Sequence, residues 1–232
     1  CQRISTRCHH RRRRFIERRN PFVDCVFRGE GEEAFPRWLK VWNQPEEWST
    51  ITGLCYLDAN QQYQDNGLAR VLPFDQLVSP EESEFFNWSK PFVQLETTRG
   101  CFNTCAFCVS GGEKPVRTLS MEAIRQRLEI IHQHGIKNVR VLDRTFNFNP
   151  RRAKELLQLF QEFHPHIRFH LEIHPALLSE DLKTELQQLP EGLLHLEAGI
   201  QSLREPVLEK CKRLGKLEQA LEGLQFLCSL NN

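Results

Sequence analysis

From Pro91 onward, apolar and polar positions alternate in short runs, and these runs are separated by stretches with helical spacing. The alternation predicts strands at about Phe92 to Thr97, Lys137 to Asp143, Ile167 to His174 and Leu193 to Gly199. Helices are predicted near Ser120 to His134, Pro150 to Phe163, Ser179 to Gln188 and Lys216 to Ser229. Ser120, followed by Ala123, Ile124, Leu128 and Ile131, makes a capped start with one apolar face, and Gly135 is placed to stop that helix. Four successive strand–helix units imply a parallel sheet with helices outside it.

The strands are two-faced. Ile167, Phe169, Leu171 and Ile173 share one side, and Arg168, His170, Glu172 and His174 the other. Leu194, Leu196 and Ala198 alternate with His195 and Glu197, as Val93 and Leu95 do with Gln94 and Glu96. A doubly wound sheet, covered on both faces, would show continuous apolar runs instead. The expected fold is therefore α/β, a partial (β/α) barrel with helices on one face and a polar, ligand-holding lumen on the other. Its chemistry belongs at the C-terminal ends of the strands.

Upstream, Phe22 to Phe27 reads as a short buried strand that ends at a glycine turn, Arg28 to Glu32, and a helix is predicted from roughly Glu33 to Trp42. The acids at its start suit the helix dipole. Thr50 to Pro80 looks irregular, with a short strand at Gly53 to Leu57 and a turn-prone polar run at Asp58 to Asn66. The expected organisation is a basic arm at 1–20, a β-α unit at 21–48, a connector holding a hairpin at 49–90, and the barrel at 91–232.

Composition changes this picture little. At 40% hydrophobic and 26% charged residues, wholesale disorder is excluded. No apolar run reaches the length of a membrane span and no signal-peptide core is present, so a cytoplasmic protein with no membrane partner is expected. The first twenty residues hold Arg3, Arg7, Arg11 to Arg14, Arg18 and Arg19 against Glu17 alone. Such an arm can contact phosphates. Without interleaved aromatics the favoured expectation is a disordered or artefactual end, and nucleic acid is not an expected partner. Residue 1 is Cys and the single Met is Met121, so an interior segment of a longer protein is expected.

The cysteines carry the chemistry. Directly after the first barrel strand comes Cys101-Phe102-Asn103-Thr104-Cys105-Ala106-Phe107-Cys108, with spacing C-x-x-x-C-x-x-C. Three thiolates on one loop can hold three irons of a 4Fe-4S cluster and leave the fourth iron open to a small-molecule ligand. Three other readings compete. A zinc site wants a fourth Cys or His at local spacing, which neither Cys55 nor Cys211 offers. A ferredoxin-like carrier lacks its fourth ligand, and buried unliganded thiols seldom crowd three into eight residues.

The loop, with an aromatic (Phe107) before its last Cys, resembles the cluster motif of the radical S-adenosylmethionine (SAM) superfamily, whose fold is a partial β/α barrel. The resemblance runs from about Pro91 to the C-terminus. It implies that Cys101, Cys105 and Cys108 hold the cluster and that Phe107, Asp143, Thr145, Glu172, Gln201 and Arg213 bind the SAM cofactor. Leu171-Glu172-Ile173-His174-Pro175 resembles the segment whose acid faces SAM. Gly199-Ile200-Gln201-Ser202 is similar to a stretch found in the oxygen-independent coproporphyrinogen oxidases and methylthiotransferases. Where the family has a glycine-rich turn, this chain departs from it with Asp143-Arg144-Thr145-Phe146-Asn147.

Val23 to Glu32 resembles the last β-α unit of the cobalamin-binding domain that precedes the barrel in many radical SAM enzymes. On this reading most of that domain lies upstream, cobalamin is a cofactor only of a full-length protein, and two further β-α units would follow Asn232. The resemblance implies reductive cleavage of SAM to a 5′-deoxyadenosyl radical that acts on an unknown substrate, small or macromolecular, with a donor such as flavodoxin or ferredoxin supplying the electron. The alternatives are a non-catalytic zinc- or cluster-binding nucleic-acid module and an inactive fragment. Glu96, His170, His195 and Glu197 are candidates to line the lumen. His170 and His174 share a face but stand about 13 Å apart at roughly 3.3 Å per residue, too far to chelate one ion together.

Overall fold

The computed structural model of the protein describes residues 22–71, 73–108, 110 and 114–230; the expected basic arm lies outside them. The chain divides into two compact units between Leu77 and Val78.

In the first unit, β1 (Cys25–Phe27), β2 (Leu54–Leu57) and β3 (Tyr63–Asp65) form an antiparallel sheet in that order, with α1 (Gly31–Lys40) following β1. The stretch 49–90, expected as a connector, thus supplies the hairpin β2–β3, and its first strand pairs with β1. Ala34, Ile51, Leu54, Tyr56 and Ala69 make the core, and Phe27, Trp38 and Trp48 pack against it. Gly29 has φ +97°, and a Cβ there would lie 2.3 Å from the Ala69 carbonyl oxygen, so only glycine permits this crossing.

The second unit is built on a four-stranded parallel sheet: β4 (Val93–Leu95), β7 (Asn138–Val141), β8 (Arg168–Ile173) and β9 (Leu194–Ala198), neighbours in sequence order. Sequential parallel order is the barrel arrangement expected from the two-faced strands. Val93, Leu95, Val139, Val141, Phe169, Leu171 and Leu194 are buried, while the residues alternating with them are half-buried or exposed. On the buried side, α2 (Met121–Gln133) contributes Ile124, Leu128 and Ile131. From α3 (Pro150–Gln161) come Leu156, Leu157 and Phe160, and the Phe160 ring stacks on Phe169 with centroids 4.1 Å apart.

Side chains start the helices as the sequence signals suggest. Ser120 accepts from the Ala123 N–H at 3.2 Å, Asn149 from Arg152 at 3.2 Å, and Ser179 from Leu182 at 3.3 Å at the head of α4 (Glu180–Gln188). Two elements were not expected. A two-stranded antiparallel stem, β5 (Thr98–Arg99) with β6 (Arg117–Thr118), closes the base of the cysteine loop, and a short helix, α5 (Glu205–Lys210), follows β9. The last helix, α6 (Leu217–Ser229), lies on the 3-10 turn Pro175–Leu177 that follows β8.

Gly223 makes that last contact possible, since a Cβ there would lie 2.1 Å from the Pro175 carbonyl oxygen. Gly223→Ala is expected to push α6 off the turn and cost about 1–3 kcal/mol, read as a lower urea midpoint.

Candidate active site

The cysteine loop leaves the sheet where β4 ends. The Asp143 carboxylate, at the end of β7, holds its departure point. It accepts from the Thr97 N–H at 2.9 Å, the Thr98 N–H at 2.8 Å and, closely, the Thr97 hydroxyl. Asp143 is 1% exposed. Burial raises its pKa, and the Thr97 and Thr98 bonds oppose that rise. Arg152 secures both strands of the stem, donating to the carbonyls of Thr97 at 3.2 Å and Leu119 at 2.7 Å. Arg99 forks onto Glu96 at 3.0 and 2.7 Å, so Glu96 is engaged beside the stem as well as being a lumen candidate.

Within the loop, Cys101 and Cys105 are buried and Cys108 half-buried, all as free thiols. Burial pushes the Cys101 thiol up. The Asn103 N–H and the Thr145 hydroxyl pull it back, and the Cys108 and Cys105 sulfurs are near enough to raise it again. Three thiol sulfurs in electrostatic reach of one another are soft donors suited to an iron–sulfur cluster. Among the described residues, no three His, Cys, Asp or Glu side chains converge as ligands of a single ion would. The loop is also tied down from the far side. Its Ala106 N–H donates to the Cys211 carbonyl at 2.9 Å, and the Asn103 side chain accepts from the Leu214 N–H at 3.3 Å.

The segment carrying Leu214 draws the predicted cofactor contacts together. Arg213 donates through Nη2 to the Gly199 carbonyl at the end of β9. Gln201, at φ +73°, folds its amide over Gly199 so closely that a Cβ on residue 199 would meet Nε2 at 2.4 Å. Gln201 and Arg213 therefore meet at Gly199. Glu172 is half-buried on the lumen face in register with Glu197, and Thr145 lies against Cys101. Phe107 is 56% exposed. Asp143, expected as a cofactor contact, has both carboxylate oxygens committed to the loop stem.

One pleat below Glu172, Gln94, Arg140, His170 and His195 stand in register across the sheet. His170 and His195 stack at 4.9 Å, and Glu197 meets His170 at 3.1 Å and Arg140 at 3.7 Å. The lumen face is polar throughout.

Sequence reasoning missed Asn147 and the state of His174. The buried Asn147 amide grips the His174 backbone twice, donating to its carbonyl at 3.0 Å and accepting from its N–H at 2.9 Å. The His174 ring is buried, and neither nitrogen has a hydrogen-bond partner. Burial, with the Arg213 charge second, lowers its pKa to about 4; the Leu214 backbone acts the other way without meeting hydrogen-bond geometry. The imidazole is thus neutral at pH 7. The unfolded ring protonates near 6.5, so between about 6.5 and 4 the unfolded chain binds more protons and stability falls as pH is lowered. Below about 4 this contribution is flat. His174→Gln is expected to remove a loss of about 2–3 kcal/mol across that window, seen by urea titration of both proteins at pH 7 and pH 4.5.

A parallel sheet in sequential order with a three-cysteine loop at the end of its first strand joins a barrel-type fold to a set of soft donors. Residues 95–231 match the family model described as the radical SAM superfamily, and the chain belongs to that family. An uncharacterized methyltransferase of Pyrococcus horikoshii is 30% identical over 151 residues, which cover 61% of this chain and 33% of that protein. Among solved structures, the radical enzyme OxsB, with aqua-cobalamin and SAM bound, superposes with a TM-score of 0.73 at 17% identity, over 94% of this chain and 33% of its own. The radical SAM methyltransferase TsrM of Kitasatospora setae, with cobalamin and a [4Fe-4S] cluster bound, gives 0.68 at 14% identity, over 90% of this chain and 44% of its own. These two likenesses show the fold. The chain thus spans a third of the curated relative's length. Among the described residues, no helix is long and apolar enough to cross a membrane.

Proposed function

We propose that the chain is the cluster-bearing part of a radical SAM enzyme in which Cys101, Cys105 and Cys108 hold a 4Fe-4S cluster. The observation that carries the reading is the cysteine loop, pinned by Asp143 and Arg152 at the mouth of a polar lumen. When bound, such a cluster supplies the electron that cleaves SAM to methionine and a 5′-deoxyadenosyl radical. The chain's own residues orient and enclose. Glu172, Gln201 and Arg213 present one acid, one amide and one guanidinium to a zwitterionic ligand. Asn147 fixes the end of β8 from which Glu172 projects. The row from Gln94 to His195 faces the substrate.

The methyltransferase relative and the cobalamin bound by OxsB and TsrM support methyl transfer as the reaction of a full-length protein, with cobalamin bound by residues outside those described. The electron comes from a flavodoxin- or ferredoxin-class donor. Metal analysis after anaerobic reconstitution tests the reading. About four irons and four sulfides per chain in a brown protein are expected. Stoichiometric zinc without iron would instead support the zinc module and sink the proposal.

A further inference from the structure

The geometry points to Asp143 as a positioning residue for the cysteine loop rather than a contact for SAM. This inference rests on the proposed function. A carboxylate at the end of a barrel's second strand is well placed to meet a ligand's ammonium group. Here both of its oxygens already accept from two consecutive residues, Thr97 and Thr98, and the side chain is buried. Those residues are where β4 turns into the stem, and Cys101 follows three residues after Thr98.

Asp143 therefore fixes the direction in which the loop leaves the sheet. Arg152 acts on the same stem, holding the carbonyls of Thr97 and Leu119, which flank its two strands. The stem itself adds a backbone bond, from the Leu119 N–H to the Thr97 carbonyl at 3.0 Å. Two residues after Asp143, the Thr145 hydroxyl donates to the Arg144 carbonyl at 2.7 Å, and two further on, Asn147 grips His174. The segment 143–147 thus links the ends of β4 and β8. Position 143 faces two N–H groups, both on Oδ1, and one hydroxyl. An Asn there would keep its oxygen for both N–H groups and turn its NH2 to the Thr97 hydroxyl, which can accept, so the change that strips all three bonds is Asp143→Ala.

The test reads the cluster apart from catalysis. Wild type, Asp143→Ala, Thr97→Val, Thr97→Ser and, as a control for lost stability, Leu157→Ala in the fully buried helical core are reconstituted anaerobically. Iron content and the electron paramagnetic resonance (EPR) spectrum of the reduced protein are then recorded with and without SAM. Asp143→Ala is expected to retain iron about 10-fold more weakly under chelator challenge and to show an altered SAM-free spectrum. Thr97→Val should shift the spectrum in the same direction by less, and Thr97→Ser, which keeps the hydroxyl, should restore it. Leu157→Ala should match wild type in spectrum despite its lower stability.

A wild-type SAM-free spectrum and iron content in Asp143→Ala, with only the response to SAM lost, would overturn the inference and return Asp143 to the role of a SAM contact. The same change in Leu157→Ala would overturn it too, by showing that lost stability alone moves the signal. If Asp143→Ala does not fold, Thr97→Val decides the matter: an unaltered spectrum there overturns the inference. A wild-type protein that takes up no iron overturns the proposed function, and this inference with it, whereas a wild-type cluster with unaltered variants overturns this inference alone.

Discussion

Cys105→Ala is expected to reduce 5′-deoxyadenosine formation from SAM and dithionite to the level of a protein-free control, and Cys101→Ala and Cys108→Ala should do the same. The effect is large because the loop has no spare donor. Cys101, Cys105 and Cys108 are its only cysteines, and the remaining described ones belong to other segments. Two thiolates cannot hold three irons, so partial function is not expected. The fold should survive the change, since a small side chain replaces another on a loop whose backbone is tied by Asp143, Arg152, Asn103 and Ala106. Near-native circular dichroism together with absent product is the expected pair of readings. Product at wild-type level from Cys105→Ala would place the chemistry elsewhere.

Arg127→Leu carries the largest expected loss of stability. On α2, Arg127 forks onto Glu81 at 2.9 and 2.8 Å, and the Glu81 side chain is wholly shielded from solvent. It also reaches the Glu96 carbonyl at 3.4 Å, while Ser79 donates to Glu81 at 2.8 Å. The pair fastens the segment before β4 to the barrel's first helix. Removing the guanidinium leaves a buried carboxylate with one hydroxyl for company, at a cost of about 3–5 kcal/mol. The double variant Glu81→Met/Arg127→Leu should recover much of that loss, because a buried pair contributes less than its breaking costs. Urea midpoints of the two variants and the wild type check both statements. A double variant no better than Arg127→Leu would mean that Glu81 matters through shape rather than charge.

The parallel sheet was legible because each strand has a dry face and a polar face. Phe169 and Leu171 against His170 and Glu172 could be assigned without knowing their neighbours. Helix starts were legible through Ser120, Ser179 and Asn149-Pro150, whose capping bonds are local. What stayed hidden depends on distance along the chain or on brevity. Strands β5 and β6 have two residues each, too few for a period to show. Helix α5 has six residues, fewer than two turns. Pairing of β1 with β2 could not be read from a glycine turn that precedes a helix equally well in a parallel unit.

The cysteine loop was the most legible part of the site, since its spacing is local. Asp143 was the least. A carboxylate at a strand end is visible in the sequence, but the donors it serves begin 46 residues earlier. Only the packed sheet brings β4 and β7 side by side and shows that the carboxylate is already engaged. His174 was read as a lumen residue from its place in the alternation. Its burial comes from the segment 213–215, which crosses the end of β8 and carries Gly215 to within 3.6 Å of the imidazole when a Cβ is added there.

The measurement that bears most directly on the cluster assignment is the EPR spectrum of the anaerobically reconstituted, dithionite-reduced protein, recorded before and after addition of SAM. Three cysteine ligands leave one iron of a 4Fe-4S cluster open, so the expected result is a reduced-cluster signal whose shape changes when SAM binds. A signal indifferent to SAM, or the absence of any iron–sulfur signal, would contradict the account.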